Sequence, residues 1–178
     1  MPHTAGPGAG GVPAPAVAGV VGQAGALGVR AVCVISAGFA ETGGRGRALQ
    51  DELRLRARAA GVRLIGPNCM GLLNGGPEPR FNATFSAAFP PPGHLSFVPQ
   101  SGGLGLAALA LLNGPSLGVS GFVSVGSTAD LTPNDLLLVL GRGSRHSRRA
   151  GLPGVGARPA PVRPDRAADL PGTSRWWR

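Results

Sequence analysis

The feature that most constrains this chain is a pair of short apolar runs, each ended by a glycine-bearing turn and separated by an amphipathic helical pattern. Residues 30–35, Arg-Ala-Val-Cys-Val-Ile, are rich in β-branched side chains and almost wholly apolar. Such a run suits a strand buried on both faces, as in a parallel sheet. Ser36-Ala37-Gly38-Phe39 stops it. Residues 46–60 then set Leu49, Leu53 and Leu55 among charges in a background of good helix formers. Gly61 closes that helix. Residues 62–65 form a second strand, ended by Gly66-Pro67. Upstream, residues 14–27 are small and apolar and predict a helix weakened by Gly19, Gly22 and Gly25. Helix, strand, helix, strand with short connections is the βαβ pattern of a doubly wound α/β fold.

The pattern breaks and then resumes. Residues 74–93 contain Gly75-Gly76-Pro77 and Pro90-Pro91-Pro92-Gly93, which read as linker and turn. His94-Leu-Ser-Phe-Val98 predicts a strand, Pro99-Gln-Ser-Gly-Gly103 a tight turn, and residues 104–112 a Leu/Ala helix ended by Asn113-Gly114-Pro115. A strand over 119–125 and a polar turn over 126–130 follow. Thr132 then caps a last helix through Leu140, with Pro133 at its first position.

From Gly141 the character changes. The last 38 residues hold nine Arg, six Gly and five Pro, with two Leu and no Ile, Phe or Met. No period survives, so residues 141–178 are expected to be a disordered basic tail. The formal charge of +9 is concentrated there: residues 1–140 carry a net of +2 and residues 141–178 a net of +7. Every basic residue is Arg, and neither Lys nor Tyr occurs, a bias that suggests a GC-rich coding sequence. Gly (31) and Pro (18) are abundant but show no collagen period. No apolar run is long enough to span a bilayer, and residues 1–11 read as a flexible start rather than a secretory leader. Two cysteines, Cys33 and Cys69, make neither a disulfide framework nor a metal cluster, so a reducing cytoplasm is the default location.

Three strand-ending turns can carry chemistry: Ser36-Ala37-Gly38, Gly66-Pro67-Asn68-Cys69 and Pro99-Gln100-Ser101-Gly102-Gly103. In open α/β sheets ligands bind beyond the carboxyl ends of the strands. The third turn runs straight into a helix, where backbone N–H groups and the helix dipole suit an anion. Spacing alone is also met by glycines that merely turn the chain. His94 reads as a surface or edge residue, and His146 lies in the tail without a partner. Cys33 reads as a core residue, whereas Cys69 follows a turn beside a candidate site. Glu41, Asp130 and Asp135 are single carboxylates that make no acid–base pair. No metal-ligand spacing exists, nor a P-loop or a Gly-x-Gly-x-x-Gly after a first strand. Catalytic and metal residues are therefore not assigned.

The wording of the turns is more specific than their spacing. Val34-Ile-Ser-Ala-Gly-Phe-Ala-Glu-Thr-Gly43, Leu64-Ile-Gly-Pro-Asn-Cys-Met-Gly71, Phe97-Val-Pro-Gln-Ser-Gly-Gly103 and Ser124-Val-Gly-Ser-Thr-Ala-Asp130 occur in this order. Together they resemble the ADP-forming acyl-CoA synthetase (acetate–CoA ligase) family, related to the α subunit of succinyl-CoA synthetase, over about residues 12–140. Ser127 stands where that family usually has Asn or Gly. The resemblance implies a partial Rossmann-like CoA-binding domain over 12–78 and part of a flavodoxin-like, succinyl-CoA-synthetase-like ligase domain over 79–140, both with parallel sheets. It implies that Ser36, Ala37 and Gly38 contact CoA, that Asn68 and Cys69 lie near the thioester end, and that Ser101, Gly102 and Gly103 hold phosphate. The family's chemistry passes a phosphoryl group from acyl phosphate through a histidine to ADP. No His-Thr-Gly loop for that histidine occurs here, His146 does not match it, and the family's opening Gly-rich CoA loop is missing.

The chain is therefore expected to be the central part of a larger ligase, inactive alone, with coenzyme A binding weak or lost. ATP or ADP and Mg belong to the full-length family, and the expected partners are acyl-CoA or CoA and the remaining portions or subunit of that ligase. The tail is read as a wrong-frame translation in preference to a native disordered segment. Two alternatives are a CoA-binding regulatory portion of an acetyltransferase fusion and salt-dependent nucleic-acid binding by the tail, where Trp176 and Trp177 offer stacking faces. Nucleic acid and membrane are not expected as biological partners.

Overall fold

A computed structural model describes residues 11–76, 79–114, 118–142 and 148–152. The chain forms two compact units: residues 1–71 with 125–131, and residues 72–124 with 132–178. The single boundary expected after residue 78 thus falls after Gly71, and residues 125–131 belong with the first unit. The flexible start expected over residues 1–11 lies almost wholly outside the described residues.

In the first unit, α1 (Ala14–Ala26), β1 (Ala31–Cys33), a 3₁₀ turn (Ala40–Thr42), α2 (Gly44–Ala59) and β2 (Arg63–Ile65) follow the expected order. β1 and β2 pair in parallel, with Val32 opposite Leu64. The core joins Val17 and Val21 of α1 to Val34, Phe39, Leu53, Ala57, Val62 and Leu64. The glycines that weaken α1 in isolation have a packing reason: a Cβ on Gly25 would meet Ala60 and Val62. Intrinsic helix propensity is lost there and close approach is gained. Residues 125–131 run beside β2, since Ala129 and Leu131 donate their N–H groups to Gly66 (2.9 Å) and Leu64 (3.1 Å).

The second unit holds β3 (Gly71–Asn74), β4 (Phe81–Thr84), β5 (Pro92–Pro99), α3 (Gly102–Leu112), β6 (Val119–Val123), α4 (Pro133–Arg142) and β7 (Arg148–Leu152). Its sheet order is β4-β3-β6-β5-β7. β5 pairs in parallel with β6 and β7, as the apolar runs imply, but β3 pairs antiparallel with β6, setting Leu73 opposite Phe122. Leu73, Phe97, Leu109, Val119 and Phe122 make the core. The Phe97 and Phe122 rings stack with centroids 6.0 Å apart.

Three expectations need correction. Residues 74–93 are not only linker, because β3 and β4 flank the Gly-Gly-Pro segment. Four-residue strands beside turn residues carry too short a pattern to be recognised. The tail boundary also shifts: α4 continues to Arg142, and Arg148–Leu152 forms β7 along β5. Edge pairing is made by backbone groups, which need no apolar alternation. Residues 153–178 lie outside the described residues. Third, the sheet of the second unit is mixed rather than wholly parallel. The cap of α4 is as expected: Thr132 Oγ1 accepts from Asp135 N (3.3 Å) while Asp135 Oδ2 accepts from Thr132 N (2.9 Å), a reciprocal capping box.

Candidate functional site

In the first unit, both strands end in turns that the chain ties together. β1 and β2 continue their pairing past the strand ends, with Val34 N donating to Ile65 O (2.8 Å) and Asn68 N to Ser36 O (2.9 Å). Residues 126–128 join them, because Ser127 N donates to Pro67 O at 2.8 Å. A side chain at Gly126 would collide with the carbonyls of Pro67 and Asn68, and its φ of +51° lies where glycine is favoured. Three turns, 36–39, 66–69 and 126–128, therefore sit at one end of this unit's sheet.

Glu41 organises the first turn. Its Oε1 accepts from Gly38 N (2.6 Å) and Phe39 N (3.1 Å), and its Oε2 accepts from Ser127 Oγ (3.4 Å). Partial burial pushes the carboxyl up, but hydrogen bonds from its own N–H, Gly38, Phe39 and Ser127 outweigh this and hold its pKa below the ordinary carboxylate value. Glu41 had looked like an isolated carboxylate in the sequence. The local signal was an acid three residues after a turn glycine, close enough to reach back to the turn's amides.

Asp130 and Asp135 are likewise structural. Asp130 Oδ2 accepts from Arg63 Nε (2.8 Å) and Leu64 N (3.1 Å), fixing the return segment to β2. Asp135 caps α4. His94 is exposed near the start of β5, and His146 lies outside the described residues.

Of the residues implied to contact CoA, Ala37 and Asn68 are exposed, Ser36 and Gly38 are half-buried, and Cys69 is 4% exposed. Ser36 Oγ is buried without a hydrogen-bond partner, a hydroxyl left free to donate or accept. The Gly38 N–H, in contrast, is engaged by Glu41. Residues 36–39 and 66–69 contain no Arg or Lys. No cationic side chain of these turns is therefore available to an anion. An apolar hollow of about 80 Å³ lies between α1 and β1, lined by Val17, Val21, Val32, Cys33 and Ser36 among others. That is far below the ~300 Å³ at which small-molecule pockets begin, so it does not house a nucleotide.

Cys33 and Cys69 face each other across the strand ends, Sγ to Sγ 3.6 Å. The Cys33 thiol is pushed up, first by its hydrogen bond with Cys69 and then by burial. Cys69 is drawn down by that same bond against the effect of burial.

In the second unit, residues 101–103 form the predicted strand-to-helix turn. Ser101 caps α3, its Oγ accepting from Leu104 N at 3.5 Å. Gly102 and Gly103 lie in the first turn, where an α-helix leaves its N–H groups without intrahelical acceptors. Ser101 and Gly103 are exposed. The predicted helix start at residue 104 moves to Gly102, so both glycines belong to the helix itself. Among the described residues no group of three His, Cys, Asp or Glu side chains is arranged for a metal ion. No helix among them is long and apolar enough to cross a membrane.

Two family models match the chain: a CoA binding domain over residues 11–75 and a succinyl-CoA ligase like flavodoxin domain over residues 92–147. The ADP-forming acetate–CoA ligase I of Archaeoglobus fulgidus is 41% identical over 131 residues, covering 74% of this chain and 19% of that protein. The α subunit of the ADP-forming acetate–CoA ligase I of Pyrococcus furiosus is 39% identical over 126 residues, covering 71% of this chain and 27% of the subunit. The chain thus spans about a fifth to a quarter of the length of these curated relatives. Among solved structures, the dinucleotide-forming acetyl-coenzyme A synthetase 1 of Ca. Korarchaeum cryptofilum, in complex with phosphate and ADP, superposes with a TM-score of 0.76 at 36% identity. That match covers 89% of this chain and 32% of the synthetase. A CoA binding domain followed by a succinyl-CoA ligase like flavodoxin domain, in the order the turn motifs imply, is what this chain shares with the ADP-forming acetate–CoA ligases.

Proposed function

We propose that this chain supplies part of the CoA-binding and phosphate-receiving surface of an acid–CoA ligase that works with ADP and phosphate. The observation that carries this is the convergence of the turns 36–39, 66–69 and 126–128 at one end of the first unit's sheet. In this reading Ser36 and Ala37 meet CoA through the free Ser36 hydroxyl and the exposed backbone, with Gly38 shaping the turn while its N–H stays on Glu41. Asn68 and Cys69 stand at the thioester end. Ser101, Gly102 and Gly103 receive a phosphate-class anion at the start of α3, where the N–H groups and helix dipole favour negative charge. The relatives' names, and the phosphate and ADP held by the related synthetase, support this assignment of ligand classes.

The chain by itself performs no ligation. The family's reaction needs a CoA diphosphate cradle and a histidine that carries the phosphoryl group, and covalent catalysis stops without its nucleophile. His94, exposed near the start of β5, does not lie in such a loop. Without charge-assisted contacts to the diphosphate, CoA affinity is weak. Calorimetric titration with CoA and an assay of ATP-dependent acyl-CoA formation test both parts. Feeble or absent heat and no turnover are expected. Turnover by the purified chain would overturn the proposal, because another residue would then be carrying the phosphoryl group.

A further inference from the structure

We propose that Cys33 and Cys69 form a dithiol modification site that closes to a disulfide on reaction with a small-molecule disulfide. Nothing in the proposed ligase chemistry uses this pair. The sulfurs lie 3.6 Å apart although 36 residues separate them in sequence. The backbone holds them there. Cys33 ends β1, which is in register with β2, and the Asn68 N–H to Ser36 carbonyl bond anchors the turn that carries Cys69. Cys69 Sγ also contacts the Val34 carbonyl at 3.3 Å. Gly66 permits this approach, because a side chain there would run into that same carbonyl and the Cys69 sulfur.

The two thiols differ in access. Cys33 is half-buried and lines the hollow between α1 and β1, whereas Cys69 is 4% exposed. Cys33 is therefore the sulfur that a small reagent meets first, and Cys69 resolves the adduct. The Cys33 thiolate attacks one sulfur of the reagent R–S–S–R, forming the mixed disulfide and expelling one RS⁻. The Cys69 thiolate then attacks Cys33 Sγ, forming the protein disulfide and expelling the second RS⁻. The two thiol protons end on two RSH. The protein loses two electrons and the reagent gains them.

The probe is oxidised glutathione, added to the full chain at mildly alkaline pH, followed by acid quench and non-reducing peptide mapping by mass spectrometry. The expected product is one cross-linked pair of peptides containing Cys33 and Cys69, with both free thiols lost together. The urea-unfolded chain, treated alike, should form the cross-link more slowly than the native chain. Cys69→Ser should stop at a glutathione adduct on Cys33, and Cys33→Ser should leave Cys69 unmodified until the chain is unfolded. The proposal is overturned if the native chain accumulates separate glutathione adducts, stays fully reduced while the unfolded chain reacts, or cross-links no faster than the unfolded chain. The wild-type map decides the matter even if either serine variant fails to fold.

Discussion

Two glycine-bearing turns in this chain share a local grammar and differ in what occupies their amides. Residues 36–39 leave β1 and enter a 3₁₀ turn, and residues 99–103 leave β5 and enter α3. In the first, the chain supplies its own anion: the Glu41 carboxylate takes the N–H groups of Gly38 and Phe39. In the second, the cap is the neutral Ser101 hydroxyl, which reaches Leu104 N at a long 3.5 Å. Gly102 and Gly103 keep their first-turn amides clear of that cap. A strand-to-turn-to-helix sequence thus specifies a place where N–H groups gather. Whether an external anion can use them depends on whether a nearby acid has arrived first.

The largest test of the comparison removes the anchor of the closed turn. Phe39 is fully buried in the first core, and Phe39→Ala should cost about 3–5 kcal/mol in urea unfolding. Phe122→Ala removes an equally buried ring from the second core and should cost a similar amount. Little change from either variant would mean that these cores do not hold their turns in place.

A smaller effect is expected at Glu41, because its carboxylate is exposed and well solvated. Glu41→Gln should cost about 1 kcal/mol at neutral pH. Its pH dependence has a defined sign. The folded pKa lies below the ordinary value of about 4.3. The contribution is therefore complete above the unfolded-state pKa and disappears as pH falls through the folded one. The stability difference between wild type and Glu41→Gln should shrink on acidification, and a difference that grows would rule out this role. Ser101→Ala at the open turn should cost about 1 kcal/mol and be insensitive to pH in the same range.

The finest test reads the amides directly. Titration with inorganic phosphate should shift the Gly102 and Gly103 resonances and leave Gly38 and Phe39 in place. In Glu41→Gln the latter pair should become responsive, because the internal anion is gone. Shifts at Gly38 and Phe39 in the wild type, with none at Gly102 and Gly103, would reverse the comparison.

Much of the fold was legible because its signals are local. The apolar runs at residues 31–35 and 119–125, the four-residue spacing of Leu49 and Leu53, and the Thr132-Pro133 start all reappear as elements of the expected type. The four-residue strands β3 and β4 were missed because their neighbours, Gly75-Gly76-Pro77 and the three prolines at 90–92, dominate any window that contains them. β7 was missed because an edge strand made by backbone pairing imposes little on side-chain pattern. The candidate turns were legible from their motif wording, but their engagement was not. Nothing in Ser36-Ala37-Gly38 says that Glu41 will take the glycine amide while the Ser36 hydroxyl stays unpaired.

By itself, then, the sequence determined the α/β class, the order of the helices and main strands, and the three turns at strand ends. Periodicity, capping residues and turn glycines act over a few neighbouring positions and need no knowledge of the rest of the chain. Tertiary structure alone decided which distant groups meet. The parallel register of β1 with β2 brings Cys33 to Cys69, and the return of residues 125–131 to β2 pairs Asp130 with Arg63 and Ser127 with Glu41. Those contacts depend on closing long loops, and the free energy that selects one closure comes from burying Leu64, Phe39 and their neighbours together rather than from any local residue preference.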